Sequence, residues 1–183
     1  MSAIARRGVM KAIGAGGLSI LAADTAGARP APMAAKDRAP RPEWIYDATV
    51  ELEKDIVLGK TIRGDRIRVP ITGGTFSGAE IGGRILPGGF DWQLLRRDGY
   101  FELSAEYFME TNDGVQIHVL NRGLWYSPTG DWPATYAVTT PQFEAPDGRY
   151  DWLNRYIFTG TVGQGGTADK PAVKLSIFRL LNP

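Results

Sequence analysis

The side chains best suited to chemistry in this sequence are Asp91, Arg96, Tyr107, His118 and Asn154, with Trp92 and Trp152 as candidate walls. Asp91 follows Gly88-Gly89-Phe90 and precedes Trp92. Two glycines let the backbone bend and approach other groups closely. A carboxylate desolvated beside an indole has a raised pKa and suits a general base. The competing role for Asp91 is to hold its own turn through backbone N–H groups. Arg96 lies on the same strand face as Trp92 and Leu94. There it either stabilises an enolate oxygen or pairs with a nearby carboxylate. His118 lies between Ile117 and Val119, so it is a lumen proton carrier if that pair faces outward and a surface residue if the pair faces inward. Tyr107 shares a face with Leu103 and Ala105 and is the expected interior phenol. Asn154 and Trp152 precede the strong strand Tyr156-Ile157-Phe158. They either orient and wall a ligand or close a loop and fill the core.

Several chemistries are excluded. There is no Cys, so no thiolate nucleophile, thiolate metal site or disulfide, and the single His rules out any site that needs two imidazoles. No G-x-S-x-G elbow is present. The glycine runs at 73–74, 88–89 and 163–166 do not open helices, so they are not nucleotide-binding loops. No His/Asp/Glu spacing suits a metal. Carboxylates, Arg, Tyr, Asn and one His remain. That set points to proton transfer without a cofactor, as in a lyase or isomerase, or to a carrier or sensor that only binds a small molecule.

The elements that must position these groups are strands. Leu103, Ala105, Tyr107 and Met109 alternate with Glu102, Ser104, Glu106 and Glu110, and Val173, Leu175 and Ile177 alternate with Lys174 and Ser176. Arg97-Asp98-Gly99 and Asn112-Asp113-Gly114 read as tight turns, tying about 90–97, 100–111 and 115–123 into a meander. Further strands are expected near 45–53, 65–71, 79–86, 134–144, 155–163 and 172–181. Eight to nine strands with short loops imply an all-β fold. A closed antiparallel barrel, lipocalin-like or allene-oxide-cyclase-like, is expected, with a β-sandwich as the alternative. A barrel of this size holds one small ligand. The aromatic loop containing Trp125-Tyr126 and Trp132 is either a cover over the barrel mouth or a plug.

The first 42 residues read differently. Arg6-Arg7, a glycine-diluted apolar run over 12–23 and Ala26-Gly27-Ala28 form the pattern of a twin-arginine signal peptide over 1–28. Residues 29–42 hold four Pro and read as a disordered tether. The domain is expected over 43–183, in the periplasm and with no membrane anchor. It carries 14 Lys/Arg against 18 Asp/Glu, a net −4, which makes it a poor partner for nucleic acid.

From 73 to 160, the segments Gly73-Gly74-Thr75-Phe76-Ser77-Gly78, Leu86-Pro87-Gly88-Gly89-Phe90-Asp91-Trp92 and Arg96-Arg97-Asp98-Gly99 appear in order. Thr111-Asn112-Asp113-Gly114, Asn121-Arg122-Gly123 and Tyr150-Asp151-Trp152-Leu153-Asn154-Arg155 follow. This order resembles domain-of-unknown-function family 3237, small bacterial and fungal β-barrel proteins. The resemblance implies a barrel with a pocket and implies no particular reaction. Members often carry Asp and Arg where this chain has Ser104 and Glu106, and Tyr where it has His118.

Overall fold

The computed structural model describes residues 38–183. The expected signal peptide and most of the expected tether lie outside the described residues. Within them the chain forms ten β-strands. These are β1 (Arg41–Leu52), β2 (Ile56–Lys60), β3 (Asp65–Gly78), β4 (Gly82–Ile85), β5 (Gly89–Leu95), β6 (Phe101–Thr111), β7 (Gln116–Tyr126), β8 (Tyr136–Glu144), β9 (Phe158–Gln164) and β10 (Ala172–Leu181). A 3-10 turn at Asp151–Arg155 precedes β9. No helix among the described residues is long and apolar enough to cross a membrane.

All pairings are antiparallel. β1 pairs with β10 on one side and β3 on the other, and β10 leads through β9, β8 and β7 to β6. β6 pairs with both β4 and β5, which pair with β3 and close the circle. β4 and β5 run along β3 in nearly one register, interrupted at Leu86-Pro87-Gly88. Similarly, β2 continues the register of β1, from Leu52↔Ile71 to Ile56↔Arg68. Ten segments thus occupy eight positions, and the sheet is a closed eight-stranded barrel. Closure leaves few unpaired edges.

Two features differ from the sequence expectation. Arg41 and Pro42, expected in the tether, begin β1 opposite Leu181 and Leu180. β3 runs on through Gly73-Gly74 to Gly78, beyond the expected end near residue 71. Gly74 has φ +139°, and a Cβ there would stand 2.0 Å from the Thr49 carbonyl oxygen. The glycine therefore lets β1 and β3 approach across the bend.

Residues opposite one another in a ladder share a face, so the pairings separate lumen from exterior. On β6 the inward row is Phe101, Leu103, Ala105, Tyr107 and Met109; on β7 it is Ile117, Val119, Asn121, Gly123 and Trp125. One half of the lumen is solid core. Tyr46, Phe76, Met109, Ile117, Val119, Phe143, Phe158 and Ile177 fill it, and Leu153 of the 3-10 turn closes its end. Tyr46 packs edge-on against Phe76 and Phe143 at 5.6 and 6.4 Å. The other half is different. Along β6, Tyr107 and Met109 are buried, whereas Phe101, Leu103 and Ala105, on the same inward face, are only half-buried. Solvent therefore enters from the end carrying Phe101 and reaches the level of Ala105, about 13 Å at the usual strand rise.

Candidate functional site

The open half of the lumen is built from β5, β6, β7 and β8. Asp91 on β5 stands opposite Ala105, Ala105 opposite Asn121, and Asn121 opposite Pro141, so one tier crosses four strands. The next tier toward the mouth holds Leu103, Gly123, Thr139 and Gly160. Trp125 lies one step further out, edge-on to Phe101 at 5.4 Å and to Trp132 at 5.5 Å. The loop carrying Trp132 thus packs on the indole at the mouth.

Asp91 is half-buried on the inward row of β5. Its Oδ1 accepts the Ser104 N–H at 2.9 Å and its Oδ2 accepts the Gln93 amide at 2.8 Å. Burial raises the Asp91 pKa above its ordinary value; the bonds from Gln93 and Ser104 oppose that rise. Tyr107 forms the floor between the open and filled halves. Burial, and then the neighbouring Asp91 charge, push its phenol well above the usual range. The two groups therefore share an environment in which both favour their protonated forms.

Three further polar atoms in this half are buried without a hydrogen-bond partner: Asn121 Oδ1, Thr139 Oγ1 and Trp125 Nε1. Folded proteins leave few such atoms, and a cluster of them on one inward face is unusual. Sequence reasoning missed Asn121 and Thr139 and expected Trp125 in an aromatic loop at the mouth, whereas Trp125 and Tyr126 end strand β7 and only Trp132 lies in the loop. The available signal was the row Ile117, Val119, Asn121, Gly123, Trp125, in which one amide interrupts an otherwise apolar or small series.

The remaining expected residues are not gathered around this lumen. Trp92 neighbours Asp91 in a strand, so it points to the opposite side of the sheet and is exposed. The desolvation of Asp91 therefore comes from the barrel interior and not from the indole. Arg96 lies past the end of β5, pairs with Asp98 in the turn and sits over the Tyr100 ring at 5.7 Å. It lines an open surface cleft of about 340 Å³ with Tyr100, Leu124 and Tyr136. Ile117 and Val119 face inward, so His118 faces outward. Its Nε2 lies 3.0 Å from Glu106 and its Nδ1 3.7 Å from Glu144. Asn154 spends both amide atoms on Ala145, accepting its N–H at 2.9 Å and donating to its carbonyl at 2.8 Å. Trp152 packs near Phe158 at the closed end, under the guanidinium of Arg179 at 5.5 Å. Of the seven expected residues, only Asp91 and Tyr107 meet in the open half. Among the described residues no group of His, Asp and Glu is arranged to hold a metal ion.

A family model described as a protein of unknown function, DUF3237, matches residues 40–180, the barrel except its last strand residue. The chain belongs to the DUF3237 family. A UPF0311 protein from Clostridium acetobutylicum is 35% identical over 128 residues, covering 63% of this chain and 81% of the relative. A β-barrel-like protein from Acinetobacter baumannii superposes with a TM-score of 0.69 at 30% identity, over 84% of this chain and 99% of that one. A structure described as an enzyme from Penicillium herquei shares the fold at a TM-score of 0.63 and 18% identity, over 81% and 99%. The two solved structures share the barrel fold of this DUF3237 chain.

Proposed function

We propose that this exported DUF3237 barrel binds a small, largely apolar, oxygenated or aromatic molecule in the open half of its lumen. There it works as a cofactor-independent lyase or isomerase by acid–base chemistry. The carrying observation is a conjunction along the inward rows of this half: a desolvated carboxyl, the buried phenol one tier deeper, and polar atoms that lack protein partners from the Asp91 tier outward. Pockets of this composition, mostly apolar with a few convergent polar groups, are the usual form of small-molecule sites.

In this reading Asp91, as carboxylate, takes a proton from carbon next to a ligand carbonyl. The electron pair moves to the oxygen, which accepts a hydrogen bond from Trp125 Nε1–H. Asp91 then returns the proton at another carbon, completing an isomerisation, or to a leaving oxygen, completing an elimination. The raised Asp91 pKa brings it closer to that of such carbon acids. Arg96 and His118, outside the lumen, take no part. The enzyme from Penicillium herquei supports the reading to the extent that a barrel of this shape holds an enzyme there.

A non-catalytic carrier or sensor is the second reading. It is favoured by the fact that both Asp91 oxygens already have protein donors. The two part on turnover. The small molecule released by denaturing protein from its native host is supplied to wild type and to Asp91→Asn. Conversion by wild type alone supports the enzyme. Binding by both with conversion by neither supports the carrier.

A further inference from the structure

We infer that the open lumen selects an uncharged ligand carrying both a carbonyl-type acceptor and a hydroxyl donor, read by Trp125, Asn121 and Thr139. This rests on the reading above that the lumen is the binding site, and it names the ligand's chemistry and the residues that choose it.

The three groups are placed as a unit. Asn121 and Trp125 flank Gly123 on the inward row of β7, and Thr139 of β8 stands directly opposite Gly123. On its other side Thr139 faces Gly160 of β9. With a glycine on each side, Thr139 has no side chain on either neighbouring strand to bond its hydroxyl, and the Ile177 Cδ1 methyl, which brings no polar atom, packs against Gly160. At Gly160 an added Cβ would come within 3.0 Å of Thr139 Oγ1. Asn121, Thr139 and Trp125 are each at least nine-tenths buried, so bulk water does not satisfy them.

Their chemistry is complementary. An indole N–H only donates, the Asn121 Oδ1 only accepts, and the Thr139 hydroxyl does either. A ligand that satisfies all three must bring an acceptor and a donor. A cation brings donors alone and leaves Trp125 unmatched. An anion meets the wrong field, because the charged side chains on the inward rows of this half are Asp65 and Asp91. The nearby Arg66, Arg68 and Arg122 lie at outward positions of their strands. The remaining class is neutral: a hydroxylated aromatic or aliphatic carbonyl compound, with Phe101 and Tyr107 bounding its apolar part.

The test is calorimetric titration of the full chain with a near-isosteric pair, 2,4-dihydroxyacetophenone and 2,4-dihydroxybenzoate. At about pH 6 the phenols stay neutral and the carboxylate is charged. The ketone is expected to bind at least about tenfold tighter. Thr139→Val, which keeps shape, and Asn121→Leu are each expected to weaken the ketone about tenfold, the usual effect of one lost hydrogen bond. His118→Gln, on the outer wall, leaves its affinity unchanged. Equal affinities, or tighter binding of the benzoate, overturn the charge selection and leave the lumen site standing. Ketone affinity that survives both Thr139→Val and Asn121→Leu but is lost in Ala105→Phe overturns the roles of Thr139 and Asn121 and leaves the lumen site standing. Failure of both probes to bind the folded wild type overturns the lumen reading, and this inference with it.

Discussion

Replacing Asp91 by Asn separates the two things its carboxyl does, because the amide keeps the shape and never ionises. The oxygen of the introduced amide still accepts the Ser104 N–H, and a turned Gln93 amide accepts from the new NH₂. Both bonds seen at 2.9 and 2.8 Å are therefore retained. At acid pH, with Asp91 protonated, wild type and variant should agree within about 1 kcal/mol. Their difference then changes with pH. Burial raises the folded pKa above the ordinary 3.8, so the folded state binds the proton more tightly than the unfolded chain. The stability this lends is full below 3.8 and is lost as pH rises through the folded value. Each unit of elevation is worth about 1.4 kcal/mol. Asp91→Asn carries no such penalty, so it should gain on wild type as pH rises from 3.8 through the folded value, and the gain should then level off. Urea unfolding of both proteins across that range reads the difference directly. Asp91→Ala, which strands the Ser104 N–H and the Gln93 amide, should instead cost about 1–3 kcal/mol throughout. A variant Asp91→Asn that loses stability relative to wild type as pH rises would refute the reasoning. It would mean that the folded barrel stabilises the ionised carboxylate.

Further perturbations test other parts of the account. Arg179 bonds Glu43 and lies between Trp152 and Tyr156 at 5.5 and 5.2 Å, so Arg179→Met should destabilise the closed end by about 1–2 kcal/mol in chemical unfolding. Asp113 accepts hydroxyl bonds from Thr111 at 2.6 Å and Tyr150 at 2.7 Å, which hold its pKa below 3.8. That stability is present above the unfolded pKa and lost as pH falls through the folded one. Tyr150→Phe should therefore lower the melting temperature at neutral pH and flatten the acid side of the stability curve. We also propose that export follows Arg6-Arg7; changing both to Lys should keep a reporter fusion in the cytoplasm, and undiminished export would remove the twin-arginine assignment.

Much of the barrel was legible because alternation is a local property. The row Leu103, Ala105, Tyr107, Met109 faces inward as its spacing requires, and the turns at Asp98-Gly99 and Asp113-Gly114 join the expected strands. β2 was not legible. Ile56, Val57 and Leu58 are all exposed, so they carry no period, and the strand exists because it prolongs β1 along β3. The site was legible only in part. Asp91 and Tyr107 can be placed inside from their own neighbours. Alternation also forbids Trp92 from walling the same cavity, a constraint that local reasoning holds but the single-pocket expectation set aside. Which strands bring Asn121, Thr139 and Gly160 side by side depends on ladder register, a long-range property that no window of sequence contains.

The claim that matters most is that a small molecule occupies the open half of the barrel beside Asp91. Ala105 stands between Asp91 and Asn121 in the same tier, so Ala105→Phe places a ring in that space. Native mass spectrometry of wild type and Ala105→Phe, each purified from the native host, reads occupancy directly. A bound small-molecule mass is expected on wild type and none on the folded variant. The same bound mass on both would contradict that claim.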